Sequence, residues 1–161
     1  MRKARAYLDS GIFIAIINGH EESSEACKSI IEAATRGDLE IATSCVTLPE
    51  VTKKRSTGLV KPANDEATIT GIFQNPVIIY VSVDPRVGIL AQQVIWDFGK
   101  QTRDSIHIAS AIAADADVLY TVDRGLLDIS EKSTPRLRVP RIALPEFIGQ
   151  PELPFGDSAQ E

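Results

Sequence analysis

Short apolar runs rich in β-branched residues alternate with segments of helical spacing along this chain, and that alternation limits the folds open to it. Residues 4–8 and 39–43 read as buried strands, 77–83 as a third ending at Asp84-Pro85, 118–121 as a fourth and 137–139 as a short fifth. Between them the spacing predicts helices over about 10–18, 23–36, 63–73, 86–98 and 104–114. A further helix opens at Thr47 and carries Val51 and the cluster Lys53, Lys54 and Arg55 before Gly58; Gly37 and Gly99 supply other stops. Apolar strands separated by helices imply an α/β class, a three-layer α/β/α sandwich around a central parallel sheet. No repeat or linker divides residues 1–148, while 149–161, with prolines and acids but little periodicity, reads as a flexible tail.

Charge and cysteine usage narrow the function classes. A formal net charge of −5 over 161 residues argues against nucleic acid held on a broad basic surface. It does not exclude nucleic acid as a substrate, because a site of several carboxylates is acidic in itself and a bound divalent cation inverts its field toward phosphate. Cys27 and Cys45 are too few and too far apart for a disulfide framework or a zinc site and read as reduced core thiols. Three basic residues within 1–7 precede an apolar run at 12–17, but Asp9 interrupts the pattern and no small-residue cleavage site follows. No apolar run approaches the roughly 20 residues that cross a bilayer, so the expectation is a cytoplasmic protein without a membrane partner.

In open α/β sheets ligands bind beyond the carboxyl ends of the strands. Asp9 follows the first strand and Asp123 the fourth, so both face one edge. Glu50 lies in the first turn of the helix leaving the second strand, and Asp104 starts the helix feeding the fourth. Singly, each has a structural reading: Asp9 and Asp104 as helix caps, Glu50 as the partner in a Thr47-x-x-Glu50 capping box, Asp123-Arg124-Gly125 as a turn. Together, converging carboxylates repel and raise one another's pKa, which has no stability rationale. A divalent cation resolves that conflict, and an oxygen-only donor set suits Mg²⁺ or Mn²⁺ rather than zinc.

Four segments then carry a family likeness: Tyr7-Leu8-Asp9-Ser10-Gly11, Leu48-Pro49-Glu50-Val51, 103–111 (Arg103-Asp104-Ser105-Ile106-His107 onward) and Tyr120-Thr121-Val122-Asp123-Arg124. In this order the chain resembles the PIN-domain nucleases, in particular the VapC-like toxins of type II toxin-antitoxin systems. The resemblance implies a PIN-like fold, with Asp9, Glu50, Asp104 and Asp123 as catalytic metal ligands and Ser10 and Thr121 as polar neighbours that orient them. It also implies Mg²⁺- or Mn²⁺-dependent hydrolysis of single-stranded RNA, dimerisation, and inhibition by a cognate antitoxin. The segment between Glu50 and Asp104 carries little of the family pattern.

Lys53, Lys54, Arg55, Arg103 and Arg124 are phosphate-binding candidates by their nearness to these acids in sequence, against the alternative of a solvated charged face. Lys53 and Lys54 would share the helix face of Glu50. His107, three residues after Asp104, reads as a packed histidine or as a general base or ligand. Asp84, Asp128, Asp115 and Asp117 read as turn and surface acids, and Tyr80 and Trp96 as aromatics packed on the sheet or stacking on bases. Three other functions stay open: a nucleic-acid-binding or housekeeping domain that is no toxin, an interaction protein, and phosphotransfer on a strand-end Asp. The last would want a second acid at position 11, where Gly11 stands.

Overall fold

The computed structural model describes residues 1–19, 22–52 and 66–150. Five strands, β1 (Arg5–Leu8), β2 (Glu40–Ser44), β3 (Ile78–Val81), β4 (Val118–Tyr120) and β5 (Arg141–Ala143), form one parallel sheet in the order β3-β2-β1-β4-β5. Central β1 pairs Tyr7 with Ala42 on one side and with Leu119 on the other. The helices are α1 (Ser10–Asn18), α2 (Ser24–Arg36), α3 (Thr47–Glu50), α4 (Glu66–Phe73), α5 (Pro85–Phe98) and α6 (Thr102–Ala113), with a 3-10 helix over Arg124–Ile129. None of them is long and apolar enough to cross a membrane.

The period of two along each strand sorts the core into two layers. Ala6, Leu8, Ile41, Ile78 and Tyr120 pack with α1, α2 and α4, where Phe13 lies against Phe73 at 4.9 Å between ring centroids. Tyr7, Ala42, Leu119 and Ile142 point the other way, toward Val94 of α5 and Ile108 and Ala111 of α6. Both faces are therefore covered, each large side chain contributing roughly 1.5–3 kcal/mol on burial. Gly37 ends α2 at φ 84°, a left-handed conformation that costs glycine little, and its N–H closes on the carbonyls of Ala33 and Ala34.

Three expectations are corrected. The helix opened by Thr47 is a single turn, because Val51 leaves helical geometry at φ −94° and ψ 78°. The fifth strand is Arg141–Ala143 rather than 137–139. Leu137 and Val139 are buried, but they belong to a turn in which the Thr134 N–H donates to the Leu137 carbonyl at 2.8 Å and the Val139 N–H to Lys132 at 2.9 Å. Pro140 has no N–H to give a ladder, so pairing with β4 starts after it. Nor are Tyr80 and Trp96 buried on the sheet. Tyr80 donates its hydroxyl to the Phe73 carbonyl at 2.7 Å at the surface, and Trp96, 63% exposed, lies under the Arg136 guanidinium.

The other acids have local duties. Asp84 caps α5 through the Val87 N–H, Asp115 and Asp117 pair with Arg2, and Asp128 pairs with Lys100. Cys27 is buried, Cys45 half-buried, and both are free thiols.

Candidate active site

From β1 the chain winds outward to β2 and β3, then returns to place β4 on the other side of β1. The order therefore reverses between β1 and β4, and ligands in such sheets settle in the crevice at that reversal. The β1–β4 pairing continues one bond past Leu8, the Asp9 N–H donating to the Tyr120 carbonyl at 3.3 Å. Asp9 thus stands at the carboxyl end of β1, 8% exposed. It also caps α1, accepting from the Ile12 N–H at 3.3 Å, so the structural and functional readings of this residue coexist. Thr121, directly after β4 and fully buried, hydrogen-bonds the Asp9 carboxylate and accepts the Asp123 N–H at 2.9 Å. One hydroxyl thereby couples the two strand-end acids.

Asp123 accepts the Gly125 N–H at 2.8 Å, a turn that feeds the 3-10 helix and leaves the carboxylate exposed. Asp104 is not a cap, since Gln101 holds that position and Asp104 sits in the first turn of α6, where the helix dipole favours negative charge. Asp9, Ser10, Arg103, Asp104, His107 and Asp123 line one cleft of about 260 Å³. A larger cavity of about 750 Å³ opens at the opposite, amino edge of β4 and β5 among Asp117, Glu131, Arg138 and Arg141. Its charges are mixed and exposed, so chemistry and not size locates the candidate site.

Glu50 stands beside this cleft and does not join its lining. Its Oε2 lies 2.7 Å from His107 Nε2, and its Oε1 accepts from Arg103 Nε at 2.8 Å. The capping box does not form. Val46 occupies the cap position without a side-chain bond, and Thr47 Oγ1 pairs instead with Thr43 Oγ1 at 2.8 Å. His107, 3% exposed, bonds through Nδ1 to the Tyr7 hydroxyl at 2.7 Å. Arg103, its side chain 53% exposed, also donates from Nη2 to Ser10 Oγ at 3.1 Å.

Buried Asp9 and half-buried Glu50 are tuned in opposite directions. Burial pushes the Asp9 carboxyl above its ordinary range, and the Thr121 hydroxyl, His107 and the Ile12 and Gly11 N–H groups offset only part of that. Among the described residues it has no Lys or Arg within ion-pair distance. Burial also acts to raise Glu50, but the hydrogen bond and charge of His107, with Ser10 and Arg103, outweigh it and hold the carboxyl below its ordinary value.

A cation would meet Asp9, Asp104 and Asp123 here, an oxygen-only set whose deepest member has its burial only partly offset. Among the described residues no three His, Cys, Asp or Glu side chains are drawn together as a ready-made cage. Mg²⁺-type sites take one or two carboxylates and keep several waters, so the donor chemistry fits without one. Gly11 bears on the phosphotransfer alternative: a Cβ there would lie 2.7 Å from Val122 Cγ2 and 3.3 Å from Asp9 Oδ1, so a second acid would have to displace the Val122 side chain.

Of the phosphate-binding candidates, Arg103 lines the cleft and Arg124 is exposed next to Asp123 without lining it. Lys53, Lys54 and Arg55 lie outside the described residues, and α3 ends at Glu50, short of the helix face they were expected to share. Tyr7 was missed by sequence reasoning. The available signal was its spacing, two residues before Asp9 and hence on the same face of β1.

The PIN domain family model matches residues 6–132. No curated protein sequence matches the chain. Among solved structures it is similar to Mycobacterium tuberculosis VapC20, a Sarcin-Ricin loop cleaving toxin, at TM-score 0.57 and 15% identity, covering 74% of this chain and 90% of that one. VapBC2 from Rickettsia felis, bound to a DNA fragment from its promoter, matches at TM-score 0.57 and 18% identity, covering 86% and 98%. A toxin-antitoxin complex from Klebsiella pneumoniae matches at TM-score 0.61 and 18% identity, covering 89% and 99%. At such identities the likeness is one of fold.

Proposed function

The chain belongs to the PIN-domain family, and from that premise we propose that it is a Mg²⁺- or Mn²⁺-dependent endoribonuclease that hydrolyses single-stranded RNA as the toxin of a toxin-antitoxin pair. The observation that carries the proposal is the convergence of Asp9, Asp104 and Asp123, from three separate segments, on one cleft at the reversal of strand order. Asp9 is the most telling of the three, because it is buried with no Lys or Arg paired to it among the described residues, and ionising such a carboxylate costs stability unless something binds it.

Asp9, Asp104 and Asp123 would hold the metal directly or through water, with Ser10 and Thr121 orienting them. When bound, Mg²⁺ or Mn²⁺ lowers the pKa of a water and stabilises charge on the phosphoryl oxygens during in-line displacement. Glu50, with one oxygen on Arg103 and the other on His107, orients Arg103 and keeps free lone pairs with which to ligate or to orient the attacking water. Arg103 meets the scissile phosphate from the cleft mouth, and Arg124 is placed to meet a flanking one.

The toxin-antitoxin assemblies among the structural neighbours support a cognate antitoxin as partner; a homodimer as the working unit is part of the same proposal. The test is cleavage of a mixed single-stranded RNA pool with Mg²⁺ or Mn²⁺, against EDTA and against Asp104→Asn. Cleavage that requires metal and is lost in the variant supports the reading; undiminished cleavage by a folded Asp104→Asn protein refutes it. Expression that halts growth and is relieved by the product of an adjacent small reading frame would support the toxin assignment, and unimpaired growth would refute it.

A further inference from the structure

A continuous hydrogen-bonded path joins the sheet core to the cleft. The Ser44 N–H donates to the Tyr7 hydroxyl at 3.2 Å, the hydroxyl meets His107 Nδ1 at 2.7 Å, and Nε2 meets Glu50 Oε2 at 2.7 Å. Glu50 Oε1 then takes the Arg103 Nε proton at 2.8 Å, and Arg103 Nη2 donates to Ser10 Oγ at 3.1 Å. Nε2 meets a carboxylate, which can only accept, so it carries a hydrogen, and in the tautomer with Nδ1 free every group is satisfied in one arrangement. Tyr7 donates to Nδ1, and Nε2 donates to the carboxylate. Tyr7 is fully buried, His107 is 3% exposed and the Glu50 side chain 13%, while Arg103 at the end of the path is 53% exposed.

A buried polar chain of this kind is no efficient source of stability, since apolar groups of the same shape commonly do as well. What it delivers is a fixed guanidinium. Of the five N–H groups of Arg103, one on Nε and one on Nη2 are committed, and three remain to meet a ligand at the mouth of a cleft lined by acids. An exposed arginine ordinarily loses rotamer freedom on meeting a phosphate; this one is held beforehand.

We infer that Tyr7 and His107 are positioning residues which, through Glu50, preset Arg103 as a contact for the phosphodiester backbone of the RNA substrate. The inference rests on the nuclease reading above and deepens it, since neither Tyr7 nor His107 touches the cleft carboxylates as a ligand.

The experiment is binding of a fluorescein-labelled single-stranded RNA oligonucleotide to full-length protein in EDTA, by anisotropy across a salt series. Wild type is compared with Arg103→Gln, Tyr7→Phe, Ser10→Ala and the pairwise doubles with Arg103→Gln. Arg103→Gln is expected to flatten the slope of log Kd against log salt by about 0.7, the value of one phosphate on a single strand. Tyr7→Phe is expected to weaken binding about two- to tenfold, the worth of one hydrogen bond, and to add nothing in the Arg103→Gln background. Ser10→Ala, at the far end of the path, is expected to behave likewise and serves if Tyr7→Phe does not fold. Additive losses, or an unchanged slope in a folded Arg103→Gln protein, overturn the inference while leaving metal-dependent cleavage by wild type to uphold the nuclease reading. Wild type that neither binds nor cleaves RNA overturns both.

Discussion

Asp9→Asn should make the metal-free protein more stable while removing its activity. Burial raises the folded carboxyl above its ordinary 3.8, so the fold favours the protonated form. The sign follows: the group's contribution is fully present below the unfolded pKa and is lost as pH rises through the folded one. At neutral pH wild type must therefore either ionise a buried acid or take up a proton from water. The amide never has to, and its oxygen can still accept the Ile12 N–H. Each unit of separation between the folded and unfolded values is worth about 1.4 kcal/mol. A domain of this size moves by about 2–4 °C per kcal/mol, so each unit should raise the melting temperature of the variant over wild type by about 3–6 °C. Scanning calorimetry in EDTA from pH 4 to 8 measures it, with a gap that opens as pH rises. Mn²⁺ should close the gap, because a cation at a hundred times its Kd stabilises wild type by about 2.7 kcal/mol and has little to bind in the variant. A variant that melts below wild type in EDTA throughout, or a gap that does not change with pH, refutes the reasoning.

Gly11→Ala sets a methyl 2.7 Å from Val122 Cγ2 and 3.3 Å from Asp9 Oδ1; it should cost about 1–3 kcal/mol as overpacking does and depress RNA cleavage more than stability. Urea denaturation beside a cleavage assay separates the two effects. Phe13→Ala empties a fully buried position against Phe73 and should cost about 3–5 kcal/mol by denaturant titration, with the slope of the transition unchanged. Lys100, which donates to the Gly125 carbonyl at 2.9 Å, holds the turn that presents Asp123. Lys100→Met should therefore lower metal-dependent cleavage roughly 10- to 100-fold, the usual loss when a ligand's support is removed, with far-UV circular dichroism unchanged.

Fold class was legible because strand and helix periods differ and every strand here carries its own. Tyr7 and Leu8 are both buried, and only opposite faces of a covered sheet allow that for neighbours. The pattern failed where burial came from something other than a ladder. Leu137 and Val139 alternate like strand residues and are buried like them, yet a turn buries them and Pro140 postpones pairing to Arg141. Trp96 failed for the reverse reason: its size suggested a core residue, but its position on α5 faces outward and a guanidinium covers its ring.

At the site, Asp9 and Asp123 were legible from strand ends alone, and Asp104 needed the family pattern to stand out from an ordinary helix start. Glu50 shows what local spacing cannot supply. Thr47-x-x-Glu50 has the form of a capping box, but a cap saves about 1 kcal/mol by meeting one orphan N–H, whereas Glu50 meets the two charge-assisted donors His107 and Arg103, 57 and 53 residues away in sequence. A hydrogen bond to a charged group is worth about 1.5–3 kcal/mol where it is shielded, as at His107, and solvent screens the half-exposed Arg103 to less, so the long-range partners win. No window of the sequence contains that competition. It is decided only when β1 and α6 bring Tyr7 and His107 within 2.7 Å, and the same packing turns an unremarkable tyrosine into the inner end of a path that reaches the cleft.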